Sequence, residues 1–262
     1  MQNIGKAYKG LTNLKVLSVK HWTEKTFSFS LERPAGFRFR SGEFAMIGLE
    51  NGDAPLLRAY SIASPNWAEE LEFYSIKVKD GPLTSRLQNL REGDYVLIRP
   101  KPVGTLVLDA LLPGKRLVLF STGTGIAPFS SVIRDPETYE RFDNVILTHT
   151  CRELSELEYG KCLVTEINAD DILSEIVGSR LTLISTTTRE DSKFTGRLTD
   201  WLTGDRFKNH TGQHLNVNTD RVMICGSLDM LSSHKEICEK FNMMEGSNSS
   251  PGHFVIEKAF VD

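Results

Sequence analysis

The sequence predicts two domains, an antiparallel β-barrel followed by a doubly wound α/β domain built on a parallel sheet. Its 262 residues exceed one average domain of roughly 150 residues and suit two. Short strand-like segments fill the first hundred residues. After Pro113 and Gly114, near-continuous apolar runs are separated by segments long enough to form helices. We therefore divide the chain into residues 1–108 and 109–262, with the linker near residues 103–115.

The first domain reads as short strands at close spacing. Apolar and polar side chains alternate in three segments, residues 26–31, 43–47 and 71–79. Turn sequences rich in Gly, Pro, Asn and Asp separate such segments, which is typical of an antiparallel barrel. One short helix is predicted within this domain, near residues 83–90.

The second domain has a different pattern. Near-continuous apolar runs occupy residues 117–120, 145–147, 181–184 and 222–225. Strands that are buried on both faces have this composition, which indicates a parallel sheet. Amphipathic stretches at residues 154–167 and 228–241 predict helices between the strands, as in a nucleotide-binding unit. We expect the Ser/Asn/Gly-rich residues 246–252 to form a surface loop.

Composition excludes several classes of protein. With 31 Lys+Arg against 34 Asp+Glu, the net charge of −3 gives no general attraction to nucleic acid or to anionic membranes. The four cysteines form no C-x-x-C pair, which argues against zinc, an iron–sulfur cluster and a disulfide scaffold. The six histidines show no ligand spacing, so no metal is expected. Reduced thiols and the lack of a long apolar stretch favour a cytoplasmic protein.

A glycine loop, Gly123-Thr124-Gly125, follows the first apolar run of the second domain. At this position an α/β sheet presents backbone N–H groups to a phosphate. The third glycine of the G-x-G-x-x-G pattern is replaced by Pro128, which suits the first turn of a helix. By itself the segment predicts either a phosphate site or a plain strand-to-helix turn.

Further candidates follow the later apolar runs. Arg189 and Arg197 suit a phosphate dianion, and arginines at this place distinguish a 2′-phosphorylated adenosine from NAD. Both could instead be solvated surface residues, and Glu190 beside them leaves NAD open. Cys225 precedes Gly226 at the same edge and could touch a flat ligand, although the spacing favours a small buried apolar residue.

Two segments of the first domain also carry candidates. Arg58, Tyr60 and Ser61 lie on one predicted strand, with Arg58 and Tyr60 on one side. They could hold a phosphate and stack on a planar heterocycle, although an ordinary edge strand would look similar. Thr84 and Ser85 stand where a helix starts, as an anion site or, by default, as a helix cap.

Taken in order, these segments resemble the bacterial ferredoxin/flavodoxin–NADP⁺ reductases. They are RAYSIAS (58–64), SIKVKDGPLTSRL (75–87), GTGIAPF (123–129), the pair Arg189 and Arg197, MICGSLDML (223–231) and VIEKAFVD (255–262). The resemblance runs from about residue 10 to the C-terminus and is close to the branch that ends in Ala-Phe-Val. It implies a six-stranded antiparallel FAD-binding barrel followed by an NADP-binding α/β domain with a C-terminal extension that returns to the flavin.

The resemblance also implies two sets of binding residues. Arg58 would contact the FAD pyrophosphate, Tyr60 would stack on the isoalloxazine, and Ala259 would lie over the flavin face. The implied FAD set is Arg58, Ala59, Tyr60, Ser61, Tyr74, Ile76, Lys77, Val78, Leu83, Thr84, Ser85, Thr124, Ala259 and Phe260. The implied NADP set is Gly123, Thr124, Gly125, Arg152, Thr188, Arg189, Arg197, Cys225, Gly226 and Asp229.

The implied reaction passes a hydride from NADPH to FAD and then single electrons to a ferredoxin or flavodoxin. Ser61, Cys225 and Glu257 would be its catalytic residues, with Glu257 relaying protons. A reductase of free flavin, siderophore iron or an oxygenase component remains an alternative, as does a nucleotide-sensing module without turnover. We expect a monomer that binds neither nucleic acid nor membrane. Residues 205–218 match no motif of the family and are expected to form a variable surface loop or part of a partner site.

Overall fold

The first domain is a six-stranded antiparallel sheet. We describe a computed structural model, which covers residues 8–258. Within them the strand order is β4-β3-β6-β1-β2-β5. The strands are β1 Thr12–His21, β2 Thr26–Glu32, β3 Phe44–Leu49, β4 Leu56–Ser61, β5 Glu70–Ile76 and β6 Tyr95–Ile98. A bridge between Ile62 and Phe73 joins the two outer strands, so the sheet closes into a barrel. The helix α1 is short, Thr84–Leu87.

Strand β2 shows why the alternating pattern forms this barrel. Phe27, Phe29 and Leu31 point into the barrel, where Phe29 stacks on Phe73 with ring centroids 5.5 Å apart. Ser28 and Ser30 point outward but are also buried. That outer face lines a cavity together with Tyr159 and Leu163 of the second domain, so a polar side of the strand faces the space between the two domains.

The second domain is a five-stranded parallel sheet in the order β11-β10-β7-β8-β9. The strands are β7 Arg116–Thr122, β8 Asn144–Cys151, β9 Leu181–Thr187, β10 Asp220–Gly226 and β11 Phe254–Lys258. The helices are α2 Ala127–Val132, α3 Pro136–Arg141, α4 Glu158–Ala169, α5 Asp171–Val177, α6 Leu198–Thr203, α7 Arg206–Thr211 and α8 Leu228–Lys240. The predicted fold class is confirmed, whereas the boundary at residue 108 falls between β6 and β7 and stays a prediction.

Residues 205–218 are not a surface loop. They contain α7, whose Phe207 is buried against Phe120 of the sheet, and Leu215 is buried after it. Arg116 donates hydrogen bonds to the carbonyl of His214 and to the carboxylate of Asp220. The loop prediction was wrong for residues 206–211, because one buried aromatic among polar neighbours leaves no periodic pattern in the sequence, whereas a partner site in this segment stays a prediction.

An aromatic and ionic contact joins the two domains. Tyr74 of the barrel stacks on Tyr159 of α4, with centroids 4.0 Å apart and planes 7° from parallel. Arg134 donates to the carbonyl of Ala63 at 2.7 Å and to Glu72 at 2.9 Å. Groups from the barrel therefore contact α4 and the residues after α2, and strand β5 of the barrel also lies against the turn 123–126 that follows β7.

Residues 8–258 contain neither a membrane-spanning helix nor a cluster of metal ligands. Between residues 8 and 258, no helix is long and apolar enough to cross a membrane. The same residues contain no cluster of three or more His, Cys, Asp or Glu side chains suited to a metal ion.

Candidate cofactor and nucleotide site

The glycine loop lies at the carboxyl end of β7, in the middle of the parallel sheet. The strand ends at Thr122, a 3₁₀ turn covers Gly123–Ile126, and α2 begins at Ala127 with Pro128 in its first turn. Gly123 has φ +53°, a conformation that favours glycine. The loop is thus the strand-to-helix turn that the sequence predicts.

Close backbone packing explains the second glycine. A Cβ atom on Gly125 would lie 2.3 Å from the carbonyl oxygen of Cys225 and 3.1 Å from the amide nitrogen of Gly226. Gly226 is similarly crowded, since its Cβ would lie 2.4 Å from the hydroxyl of Thr122. The ends of β7 and β10 therefore meet at van der Waals distance, which places Cys225 beside the loop. Cys225 itself is buried, as its spacing favours.

Three arginines gather at the ends of the neighbouring strands β8 and β9. The amide of Arg189 donates to the carbonyl of Arg152 at 3.0 Å, so these two residues are backbone neighbours. A bridge between Thr187 and Thr195 returns the chain to the same edge and brings Arg197 there. All three arginines are exposed, and within residues 8–258 none forms an ion pair. The cluster is therefore a local cationic patch on a chain with net negative charge.

Glu190 is engaged elsewhere. Its carboxylate accepts a hydrogen bond from the amide of Leu154 at 2.7 Å. The sequence left open whether this residue would hold the ribose hydroxyls of NAD. The carboxylate of Glu190 thus binds the start of the turn Leu154–Leu157. This contact favours the interpretation in which the arginines, and not Glu190, face a ligand.

Arg206 is a neighbour of this patch that sequence analysis missed. Its guanidinium donates to the carbonyl of Thr195 at 3.3 Å, and Trp201 donates to the same carbonyl at 3.3 Å. Gly196, which follows, has φ +105°. Residues from α6 and α7 therefore shape the loop that carries Arg197, which gives part of segment 205–218 a place in the site.

On the barrel side, β4 carries Arg58, Ala59, Tyr60 and Ser61 as predicted. The ring of Tyr60 is half-buried against the barrel core, and burial raises the pKa of its hydroxyl, which interacts with Ser75. Arg58 donates to the carbonyl of Leu57 at 2.9 Å. Strand β4 lies at the outer edge of the sheet, so this segment presents a cation and a ring at the rim of the barrel.

Two candidate hydroxyls are buried and have no hydrogen-bond partner within residues 8–258, those of Thr84 and Thr124. The default interpretation of Thr84 as a helix cap was wrong, because Leu83 occupies the N-cap position and no side chain caps α1. The Thr84 hydroxyl instead points toward Gly81, where a Cβ would lie 2.2 Å from it. A buried hydroxyl without a partner costs free energy, so a hydrogen bond to either oxygen would be stabilising.

The remaining predicted cofactor residues are placed as follows. Tyr74 packs against Tyr159 between the domains, and Leu83 is buried in the barrel core. Val78 is 45% exposed, and the ammonium of Lys77 donates to the carbonyl of Thr23. Ile76 ends β5, Ser85 lies in α1, Thr188 is exposed beside Arg189, and Asp229 is exposed in the first turn of α8. Ala259 and Phe260 lie outside the described residues. The ligand contacts of this set stay predictions.

Glu257 lies on β11, opposite Cys225 in the parallel register. Its Oε2 accepts a hydrogen bond from the amide of Thr105 at 2.9 Å. Burial, with a smaller contribution from Glu43, raises the pKa of the carboxyl from 4.5 to about 7, although the hydrogen bonds from Thr105 oppose the shift. A carboxyl with a pKa near neutral pH is present in both its acid and its base form, so it can donate a proton as well as accept one. Sequence analysis anticipated neither Thr105 nor Glu43 here.

We expect Glu257→Gln to change how stability depends on pH. In the folded protein the carboxyl keeps its proton up to a pKa of about 7, whereas in the unfolded chain it loses it near 4.5. The wild type therefore loses stability as the pH rises from about 5 to 8, by about 2 kcal/mol. Glutamine can still accept the Thr105 bond and carries no titrating proton.

Urea unfolding of both holoproteins at pH 5, 6, 7 and 8 measures this difference. The two proteins should be nearly equal in stability at pH 5, and the variant should be the more stable at pH 8. A difference that does not vary with pH would contradict the raised pKa of Glu257.

The chain is similar to known proteins over nearly its whole length. No protein-family model matches the chain. A flavodoxin/ferredoxin–NADP reductase from Rhodobacter capsulatus is 55% identical over 248 residues, covering 94% of this chain and 92% of the relative. The chain belongs to the flavodoxin/ferredoxin–NADP reductase family. A ferredoxin–NADP reductase from Pseudomonas aeruginosa is 49% identical over 250 residues, 95% of this chain and 97% of that protein.

Solved structures agree with this family assignment. The crystal structure of a ferredoxin NADP⁺ reductase from Neisseria gonorrhoeae with bound FAD and NADP superposes with a TM-score of 0.87. It is 28% identical and covers 97% of this chain and 100% of its own. A flavohemoglobin from Malassezia yamatoensis, at 19% identity and a TM-score of 0.72, covers 95% of this chain and 60% of its own and shares the fold. The resemblance to the reductase family that the sequence motifs indicate is therefore confirmed.

Proposed function

We propose that this chain is a flavoprotein oxidoreductase that oxidises NADPH with FAD and supplies electrons to a ferredoxin or flavodoxin. The observation that carries the proposal is the glycine loop, which lies against strand β5 of the barrel, together with three exposed arginines at the ends of the neighbouring strands. Relatives named for ferredoxin and flavodoxin support the choice of acceptor. We further propose that the protein acts as a cytoplasmic monomer.

The residues present fit both cofactors. The unpartnered hydroxyls of Thr84 and Thr124 lie in the two segments expected to meet FAD, and Thr124 also belongs to the loop expected to meet NADP. Gly125 keeps the loop free of a side chain where the strands converge. FAD, when bound, supplies the conversion of a two-electron hydride donor into a source of single electrons.

The residues of the chain would bind and orient the two nucleotides and carry a proton. The loop amides would hold the NADP pyrophosphate, while Arg189 and Arg197 would hold the 2′-phosphate, with Arg152 near the adenosine. Tyr60 would stack on the flavin ring, with Arg58 near the pyrophosphate of FAD. Ser61 and Cys225 would border the reacting rings, and Glu257, whose pKa is raised to about 7, would accept and donate a proton.

An anaerobic titration with NADPH tests the proposal. Purified protein should carry FAD, and its flavin absorbance should bleach when NADPH is added. Ferredoxins and flavodoxins from the same organism are then added one at a time, with free flavin and ferric siderophore as competing acceptors. Protein without flavin, or a flavin that NADPH does not reduce, would refute the proposal. Faster reoxidation by free flavin or siderophore than by the carrier proteins would refute the acceptor.

We expect Gly125→Ala to raise the KM for NADPH about tenfold, because overpacking of this size costs about 1–3 kcal/mol. The added methyl would push Cys225 and the loop apart, since its nearest neighbours are backbone atoms. Gly36→Ala is the matched control, because a Cβ there meets nothing within 4 Å. Steady-state kinetics with ferricyanide as acceptor gives both constants. An unchanged KM in the Gly125 variant would contradict the close packing.

A further inference from the structure

One buried histidine lies directly beneath the glycine loop and has no assigned role. His149 belongs to β8 and is fully buried. Its Nε2 lies 3.0 Å from the carbonyl oxygen of Gly123, the first residue of the loop. Space for the ring comes from Gly160 of α4, where a Cβ would lie 2.8 Å from Nδ1 of His149 and 2.9 Å from a methyl of Ile126.

The hydrogen bonds define the tautomer of this ring. Its Nε2 faces a carbonyl oxygen, which only accepts, so Nε2 carries the proton and donates it. Its Nδ1 has no partner within residues 8–258 and keeps its lone pair. Burial lowers the pKa of His149 to about 4, so the ring is neutral at physiological pH.

Cys151 lies beside the ring but does not form a reactive pair with it. Its sulfur is 3.2 Å from Nε2 of His149, and its thiol donates to the carbonyl of Glu156 at 3.6 Å. Burial raises the pKa of the Cys151 thiol to about 12. A neutral thiol next to a neutral imidazole lacks the thiolate of a nucleophilic cysteine. The chemistry of His149 is therefore that of a hydrogen-bond donor.

The orientation of one peptide group gives this donor a function. The peptide between Gly123 and Thr124 is planar and trans, so its C=O and N–H point in opposite directions. Because the carbonyl is held inward by His149, the N–H of Thr124 points outward, away from the sheet. The first amides of a helical turn have no partner within the turn and are free to bind an anion.

We infer that His149 is a positioning residue for the NADP pyrophosphate. It orients the Gly123–Thr124 peptide so that the amide of this peptide faces the ligand. This inference rests on the proposed function. The hydrogen bond from His149 matters because Gly123 has a left-handed φ. A glycine can adopt other conformations when nothing holds its carbonyl. A loop that is held in its binding geometry before the ligand arrives loses less entropy on binding.

Another buried histidine provides a comparison within the same chain. His234 of α8 is also buried, and its Nδ1 bonds the carbonyl of Met230 at 2.8 Å, within its own helix. Its other ring nitrogen likewise has no partner in the described structure. His149 differs because its hydrogen bond crosses from a strand to the glycine loop.

Binding of two nucleotides to the FAD-loaded protein tests the inference. NADP⁺ contains the pyrophosphate, whereas adenosine 2′-monophosphate contains only the group expected at the arginines. We expect His149→Leu to weaken NADP⁺ roughly tenfold, as the loss of one hydrogen bond to a preorganised loop would, and to leave adenosine 2′-monophosphate within about twofold. In His149→Gln the side-chain amide can still donate to Gly123, so affinity for NADP⁺ should return to within about threefold of the wild type.

Isothermal titration with wild type, His149→Leu, His149→Gln and His234→Leu gives all four pairs of constants, and thermal unfolding checks that each variant is folded. Equal losses for both nucleotides, an unchanged NADP⁺ affinity in His149→Leu, or a similar selective loss in His234→Leu would overturn the inference. Failure of the wild type to bind NADP⁺ would instead refute the proposed function, so the two outcomes are distinguishable.

Discussion

Replacing Arg189 and Arg197 together by alanine is expected to raise the KM for NADPH about a hundredfold while the KM for NADH changes less than about threefold. Each guanidinium would give the 2′-phosphate a charge-assisted hydrogen bond, and removing both should cost about 3 kcal/mol. That free energy corresponds to about a hundredfold in affinity. NADH lacks the phosphate and therefore has no such contact to lose.

The control for this pair is Lys193→Ala. Lys193 is an exposed cation in the same loop, between the two arginines, and its ammonium lies over the ring of Phe194. Its removal lowers the local positive charge without removing a phosphate ligand. Steady-state kinetics with both nucleotides separates the variants. A double variant that loses NADPH and NADH equally would show that the arginines support the loop and do not recognise the phosphate.

Arg116→Met should lower the free energy of unfolding by about 3–5 kcal/mol, because it leaves the carboxylate of Asp220 buried without its ionic partner. The two side chains are 7% and 0% exposed, and Nη2 of Arg116 lies 2.5 Å from Oδ2 of Asp220. Arg116 also donates to the carbonyl of His214, so the segment that contains α7 loses a donor as well. Urea unfolding at pH 7 measures the loss.

Arg141→Met provides the contrast for this measurement. Arg141 pairs with Asp109 and Glu137, but its side chain is 38% exposed. Exposed ion pairs contribute about 0–1 kcal/mol, so this variant should be nearly as stable as the wild type. If both variants lose the same stability, burial does not determine the contribution of Arg116.

Patterns that repeat along the chain predicted most of the architecture. Alternating residues located β2, β3 and β5, and apolar runs located four of the five parallel strands. Strand β11 was missed because it is short and carries Glu257 and Lys258, so it lacks an apolar run. Its pairing with β10 joins residues about thirty positions apart, as Val222 and Phe254 are, and no local pattern in the sequence predicts it.

The candidate site also has a part that could be predicted from the sequence and a part that could not. The glycine loop and Arg189 could be located in the sequence because each follows an apolar run that predicts a buried strand, at the edge of the sheet where ligands bind. The contacts of Glu257 with Thr105 and of His149 with Gly123 join residues distant in sequence, so only the folded chain shows them. The arrangement of Thr84 was mispredicted because a hydroxyl at the start of a helix usually caps it.

The contact between Tyr74 and Tyr159 has a consequence for how such enzymes can be recombined. Each domain contributes one ring to the stack, and Arg134 reaches across to the barrel carboxylate Glu72. A chimaera whose barrel lacks Tyr74 and Glu72 would keep only half of each pair. We therefore expect the exchange of one domain to weaken the contact between the two unless these interface residues are transferred as matched sets.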